Sequence, residues 1–221
     1  MQSKLKLINS NQVWDIKRRY KLNETCSFNN INYQNITGSN SQPGIGFDWI
    51  MINSLSYKVF TFLINQTGGS SINSMSSGLL SIGVTYYIDN AVGDFTNVGA
   101  PNNNFGTYFI ATGTTPNVWT GGNLNYDSGA PFITNFENTI GNVWFNFNSN
   151  GEYYLNSNNL FNINKTFFPV RTGFAQLADT SVKFGIYSLD QNTIVLQTVN
   201  SSDVLDNDIF YKTPIEIRVY S

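Results

Sequence analysis

The chain has 221 residues, of which 41% are hydrophobic and 15% aromatic, enough apolar material for one sandwich-sized core and too much for a disordered polymer. Only 12% are charged, and the formal net charge of −2 supplies no basic excess for nucleic acid. Histidine is absent and Cys26 is the single cysteine, which excludes Ser-His-Asp and Cys-His nucleophiles, imidazole proton shuttles, the usual zinc sites and any disulfide within the chain.

The first 46 residues carry the chain's charge asymmetry. Within the first 21 positions Lys4, Lys6, Lys17, Arg18, Arg19 and Lys21 are half of the 12 basic residues, opposed there by Asp15 alone. Asn11 is placed to cap a short helix from Trp14 to Leu22, with Trp14, Ile16 and Tyr20 as its apolar contacts. Two readings fit: an anchoring arm that docks Lys17, Arg18, Arg19 and Lys21 on an acidic partner, or a solvated first element with chance charges. The opening residues hold no apolar run of signal-peptide length, and no stretch is long enough to span a membrane. The expectation is a product of the cytoplasm that does not insert into membranes.

From Phe47 onward, Val, Ile, Phe, Tyr and Thr recur in short runs separated by Gly, Asn, Asp, Ser and Pro, the pattern of strands and turns. Strands are expected within 49–64 (long enough for two), 84–88, 107–112, 142–147, 152–156, 183–189, 193–199 and 215–220. Residues 148–151 read as a hairpin turn and Asp190-Gln191-Asn192 as a short hairpin loop. In the last strand Ile215, Ile217 and Val219 alternate with Glu216, Arg218 and Tyr220, as one buried and one wet face require. Helical periodicity is weak, although 79–88 has room for a turn or two. The predicted fold is all-β: an antiparallel two-sheet sandwich over 47–221, jelly-roll-like with an immunoglobulin-like sandwich as second choice, preceded by a short N-terminal arm over 1–46. Residues 66–77, 89–105 and 113–135 are expected as long loops, a class that usually carries function or lies in an interface.

Carboxylates are the remaining acid–base groups. Asp203, Asp206 and Asp208 are the densest set, but their spacing lacks the glycine bend and terminal bidentate acid of the calcium loop, so a solvated surface loop is expected. Nothing in the sequence places two acids opposite each other as a glycosidase needs. Asparagine is the commonest residue; AT-rich codons account for that, and so does a sugar-binding surface, because an amide donates and accepts at once. The Asn-x-Ser/Thr triplets at Asn23, Asn35, Asn65, Asn164 and Asn200 occur about as often as composition alone dictates. Trp49 and Trp144 sit among apolar strand residues and are expected in the core. Trp119, with Tyr126 nearby, sits in a Gly- and Asn-rich stretch, and this pair is the candidate contact with a neighbouring subunit or a glycan. No cofactor and no metal are expected.

Three stretches, YQNITGSNSQPGIGFDWIMI (33–52), GTYFIATGTTPNVWTGGNLNYDSGAP (106–131) and DIFYKTPIEIRVYS (208–221), resemble fibre, spike and head-decoration proteins of phages infecting Bacteroides- and Flavobacterium-like hosts. The resemblance lies in a tryptophan following a Gly/Pro/Asp turn and in a closing TPIEIRVY-like strand. It implies a non-enzymatic bacteriophage virion protein, a homo-oligomer (dimer or trimer) that joins other capsid proteins and contacts host surface glycans. It carries over no catalytic residue, and the chain departs from tail fibres in lacking a repetitive or coiled-coil shaft. A penton or minor capsid jelly roll and a free carbohydrate-binding module or adhesin are the alternatives.

Overall fold

Runs of β-branched and aromatic residues punctuated by glycine and asparagine fold as strands throughout. The structure, a computed structural model, describes residues 13–29, 31–51, 57–169 and 183–220; strand makes up 46% and helix 2%. The chain divides into two compact units, Met1–Ser56 and Tyr57–Ser221. The division falls later than the expected 46/47 because residues from Trp49 pair with the N-terminal strands.

In the N-terminal unit, β1 (Thr25–Phe28), β2 (Ile31–Asn35) and β3 (Trp49–Met51) form an antiparallel sheet in that order. Tyr20, Cys26, Tyr33 and Trp49 make its core, with Trp14 and Phe28 packed against them. The Trp49 indole lies edge-on to Tyr20 at 5.2 Å and donates its N–H to the Ser41 carbonyl at 2.7 Å. The helix expected over 14–22 is a turn instead. Asp15 Oδ1 accepts from the Lys17 amide at 2.9 Å, and the Trp14 amide donates to the Ser27 carbonyl at 2.8 Å. A short acidic side chain that satisfies its neighbours' amides offers the backbone an alternative to helix; Asn11, the expected cap, lies outside the described residues.

Burial pushes the Cys26 thiol up to about 11, so almost none is thiolate at neutral pH. Iodoacetamide at pH 7.5 is expected to leave the folded chain unmodified and to alkylate Cys26 fully once denaturant is added, as read by intact mass.

The larger unit contains β4 (Tyr57–Asn65), β5 (Ile72–Met75), β6 (Thr85–Ile88), β7 (Val92–Asp94), β8 (Tyr108–Ile110), β9 (Val118–Gly121), β10 (Leu124–Asp127), β11 (Phe132–Asn138), β12 (Val143–Ser149), β13 (Glu152–Ser157), β14 (Thr166–Phe167), β15 (Lys183–Ser188), β16 (Thr193–Val199) and β17 (Thr213–Tyr220). Two four-stranded sheets, β11-β4-β17-β14 and β12-β13-β16-β15, share one core. Period-2 alternation sends Phe60, Phe62 and Ile64 of β4 and Ile215, Ile217 and Val219 of β17 inward, where they meet Phe145, Leu155 and Leu196. This is the all-β antiparallel sandwich expected from the sequence. The 148–151 turn joins β12 to β13, and Gly151 takes a left-handed φ of +69° there. At the other hairpin, Asp190 Oδ1 accepts from the amides of Asn192 and Thr193 at 2.7 and 2.8 Å.

A third antiparallel sheet, β5-β10-β6-β8, and the β7–β9 ribbon enclose a second core of Tyr86, Ile88, Phe95, Val98, Phe109 and Leu124. β6 and β8 are the strands expected at 84–88 and 107–112, whereas β5, β7, β9 and β10 lie where long loops were expected. Segments such as Ile72-Asn73-Ser74-Met75 and Val92-Gly93-Asp94 are too polar and too short to show alternation, and they become strands because partners distant in sequence supply the ladder. The helical turn allowed at 79–88 is a tight turn at Ser81–Val84 running into β6.

Candidate functional site

The third sheet meets the sandwich at β12. The Phe145 amide donates to Thr85 Oγ1 at 3.0 Å, and Asn142 Nδ2 donates to the Tyr108 carbonyl at 3.0 Å. Because Val143 and Phe145 point into the core, period 2 turns Trp144 and Asn146 to the outer face. Trp144 is therefore half-buried rather than a core residue, and it stacks on Tyr108 with ring centroids 5.5 Å apart and planes 14° from parallel.

Cross-strand register extends this contact into a strip. Asn125 of β10 pairs with Tyr87 of β6, and Tyr87 pairs with Tyr108 of β8, so the three side chains occupy one face. The Tyr87 and Tyr108 rings are 4.6 Å apart, and the exposed Phe105 meets Tyr87 edge-on at 6.0 Å. The result is an aromatic strip, Trp144–Tyr108–Tyr87–Phe105, spanning the junction of two sheets. Burial, reinforced by Tyr87, raises the Tyr108 hydroxyl above its ordinary value, so it stays a neutral donor and acceptor at physiological pH.

Amides flank the strip. On the outer face of β12-β13-β16, Asn156 Nδ2 donates to Asn146 Oδ1 at 2.8 Å, Asn148 Nδ2 to Glu152 Oε1 at 2.6 Å, and Gln197 Nε2 to Glu152 Oε2 at 2.6 Å. A cleft of about 180 Å³ opens beside the strip, bordered by Ile72, Tyr87, Tyr108, Asn125, Asp127 and Asn146. The Asp127 carboxylate accepts from Ser70 Oγ at 2.6 Å and from the amides of Ser71 and Gly129 at 2.9 Å each. Flat ring faces beside neutral amides bind a ligand through apolar contact on one side and hydrogen bonds on the other, which suits a polyhydroxylated ring.

The two residues singled out from the sequence part company. Tyr126 is half-buried on β10, its ring 5.7 Å from Tyr86, and it borders the cleft. Trp119 lies on β9, half-buried and edge-on to Phe95 at 5.4 Å, packed against the second core. The basic residues Lys17, Arg18, Arg19 and Lys21 are exposed in the N-terminal unit. Arg18 reaches Glu24 at 3.7 Å and lies over the Tyr20 ring at 5.2 Å.

The acidic run does not converge. Asp203 pairs with Lys183 at 2.6 Å, Asp206 accepts from Asn200 at 3.2 Å, and Asp208 accepts from the Gly68 amide at 2.6 Å. Among the described residues no group of three or more metal-ligating side chains gathers, and no helix is long and apolar enough to cross a membrane.

Asp94 holds the loops around the β7–β9 ribbon. Hydrogen bonds from the Thr96 hydroxyl, Asn117, the Thr96 amide and Asn103 keep its carboxyl well below the ordinary 3.8. A depressed carboxyl stabilises the fold above its ordinary range and loses that contribution as pH falls. Asp94→Ala is expected to lower the melting temperature at pH 7, and the gap from wild type should narrow below about pH 4.

No family model, curated protein or solved structure matches this chain.

Proposed function

We propose that this chain is a non-enzymatic subunit of a bacteriophage particle, of the short head-fibre, spike or capsid-decoration type, whose aromatic strip contacts a host surface glycan. The observation that carries the recognition role is the strip itself. Trp144, Tyr108 and Tyr87 stand on outer sheet faces instead of in a core, and Phe105 joins them from the turn before β8. Aromatic side chains with two rotatable bonds give large contact area at low entropic cost. The particle assignment rests on the resemblance of 33–52, 106–131 and 208–221 to phage virion proteins, and the lack of histidine agrees with a role without acid–base chemistry.

The subunit works as a homo-oligomer, dimer or trimer, docked on other capsid proteins. Exposed Ile72, Val92, Tyr187 and Leu189 at or beside strand edges supply apolar surface for such contacts. A free carbohydrate-binding module is the second reading, favoured by the same strip. Mass spectrometry of purified particles separates the two: the chain present at stoichiometric level supports the virion subunit, and its absence overturns it.

For the recognition role, Trp144→Ala is expected to weaken adsorption of the purified chain to host cells about 30-fold, the effect of losing a contact worth about 2 kcal/mol. The melting temperature should stay nearly unchanged. Adsorption equal to wild type would remove the strip from recognition.

A further inference from the structure

Asn125 lines the cleft with a requirement the protein leaves unmet. Its Oδ1 is buried and has no hydrogen-bond donor. An acceptor withdrawn from water without a partner is destabilising, and because Asn125 lines the cleft, a turn of its amide toward an incoming donor satisfies it. Asn146 of β12 lines the same cleft; its Oδ1 is taken by Asn156 Nδ2 at 2.8 Å, and its NH₂ has no partner among the described residues. One small cleft thus offers an acceptor from β10 and a donor from β12, with Tyr87 and Tyr108 in the same lining.

We propose that this cleft is a subsite for a single neutral pyranose residue, bound with a hydroxyl or acetamido N–H donating to Asn125 Oδ1. The assignment rests on the glycan reading of the aromatic strip and goes beyond it by fixing position and charge class. A sugar hydroxyl donates and accepts at once, which matches the Asn125–Asn146 pair, and the axial C–H faces of a pyranose cover the tyrosine rings. The volume of about 180 Å³ is well below the roughly 300–1,000 Å³ of drug-sized ligand sites, so one ring enters and the rest of the glycan runs along the strip. Charge sets the class. Asp127 borders the cleft and, among the described residues, no lysine or arginine does, so an anionic sugar is repelled by that carboxylate while a neutral one is not.

The test uses the full chain, titrated by ligand-observed NMR with methyl glycosides of glucose, galactose, mannose and N-acetylglucosamine, and with methyl glucuronide as the anionic probe. At least one neutral glycoside is expected to bind, and the glucuronide at least tenfold more weakly. Asn125→Ala should weaken the neutral glycoside at least tenfold without lowering the melting temperature, because it deletes an unsatisfied acceptor and not a structural bond. Trp144→Ala, outside the cleft, should keep the monosaccharide while losing adsorption to host cells. Adsorption to cells without binding of any glycoside overturns the subsite and leaves the strip standing. Loss of both in the wild-type chain overturns both. Equal binding of the glucuronide, or an Asn125→Ala variant that binds as wild type, also overturns the subsite.

Discussion

Replacing Gly83 with alanine is expected to cost about 3 kcal/mol or more, visible as a large drop in the denaturation midpoint of the sandwich unit. Gly83 adopts φ +85°, a left-handed conformation in which an L side chain is strained by about 1–2 kcal/mol. Space is the larger problem. A Cβ at this position would lie 1.7 Å from the Ile133 carbonyl oxygen, which is backbone and cannot rotate away. The approach is that close because Gly83 is a junction: its amide donates to the Ala111 carbonyl at 2.8 Å, and its carbonyl accepts from the Ile133 amide at 3.1 Å. Those bonds tie the turn before β6 both to the residue after β8 and to β11 of the sandwich. Forcing the chains apart adds overpacking strain of about 1–3 kcal/mol. A melting temperature within about two degrees of wild type would mean that β11 moves aside without cost, contrary to the packing of Ile133 in the core.

Phe145→Ala is expected to destabilise by about 3–5 kcal/mol, the range for deleting a buried aromatic ring and leaving its cavity. Phe145 is 1% exposed and lies edge-on to Phe62 at 5.7 Å, one ring from each sheet of the sandwich. Its neighbour Trp144 is the larger side chain, yet its loss should leave stability almost intact and remove binding. The contrast is a direct consequence of strand geometry, since adjacent residues face opposite ways. Urea denaturation of both variants checks it: a Trp144→Ala loss equal to that of Phe145→Ala would put the indole in the core and dissolve the aromatic strip.

Much of this protein is determined by the sequence alone. Absence of histidine and the single cysteine settle which chemistries have no side chains to perform them. Ile215–Tyr220 states its own strand because the alternation is local and Thr193–Val199 because a short β-branched apolar run is, and 148–151 and 190–192 state their turns because Asn, Asp and Gly suit them. The outward face of Trp144 is not legible in this way: its apolar neighbours suggest a core position, whereas Val143, Phe145 and Phe147 claim the inward positions of the same strand. What tertiary structure decided is everything that depends on partners far away in sequence. The strands at 72–75, 92–94, 118–121 and 124–127 are polar and short; 72–75 and 124–127 form because they pair with each other and 124–127 with β6, and 92–94 and 118–121 because they pair with each other. The N-terminal turn displaced a helix because Trp14 found Ser27 and Asp15 satisfied its own neighbours. The candidate site has the same origin. Tyr87, Tyr108, Asn125 and Trp144 come from four strands, and each alone reads as an ordinary strand residue. They become a surface because hydrogen-bond register lines up β10, β6 and β8 and then sets β12 against them, a long-range pairing that no local pattern encodes.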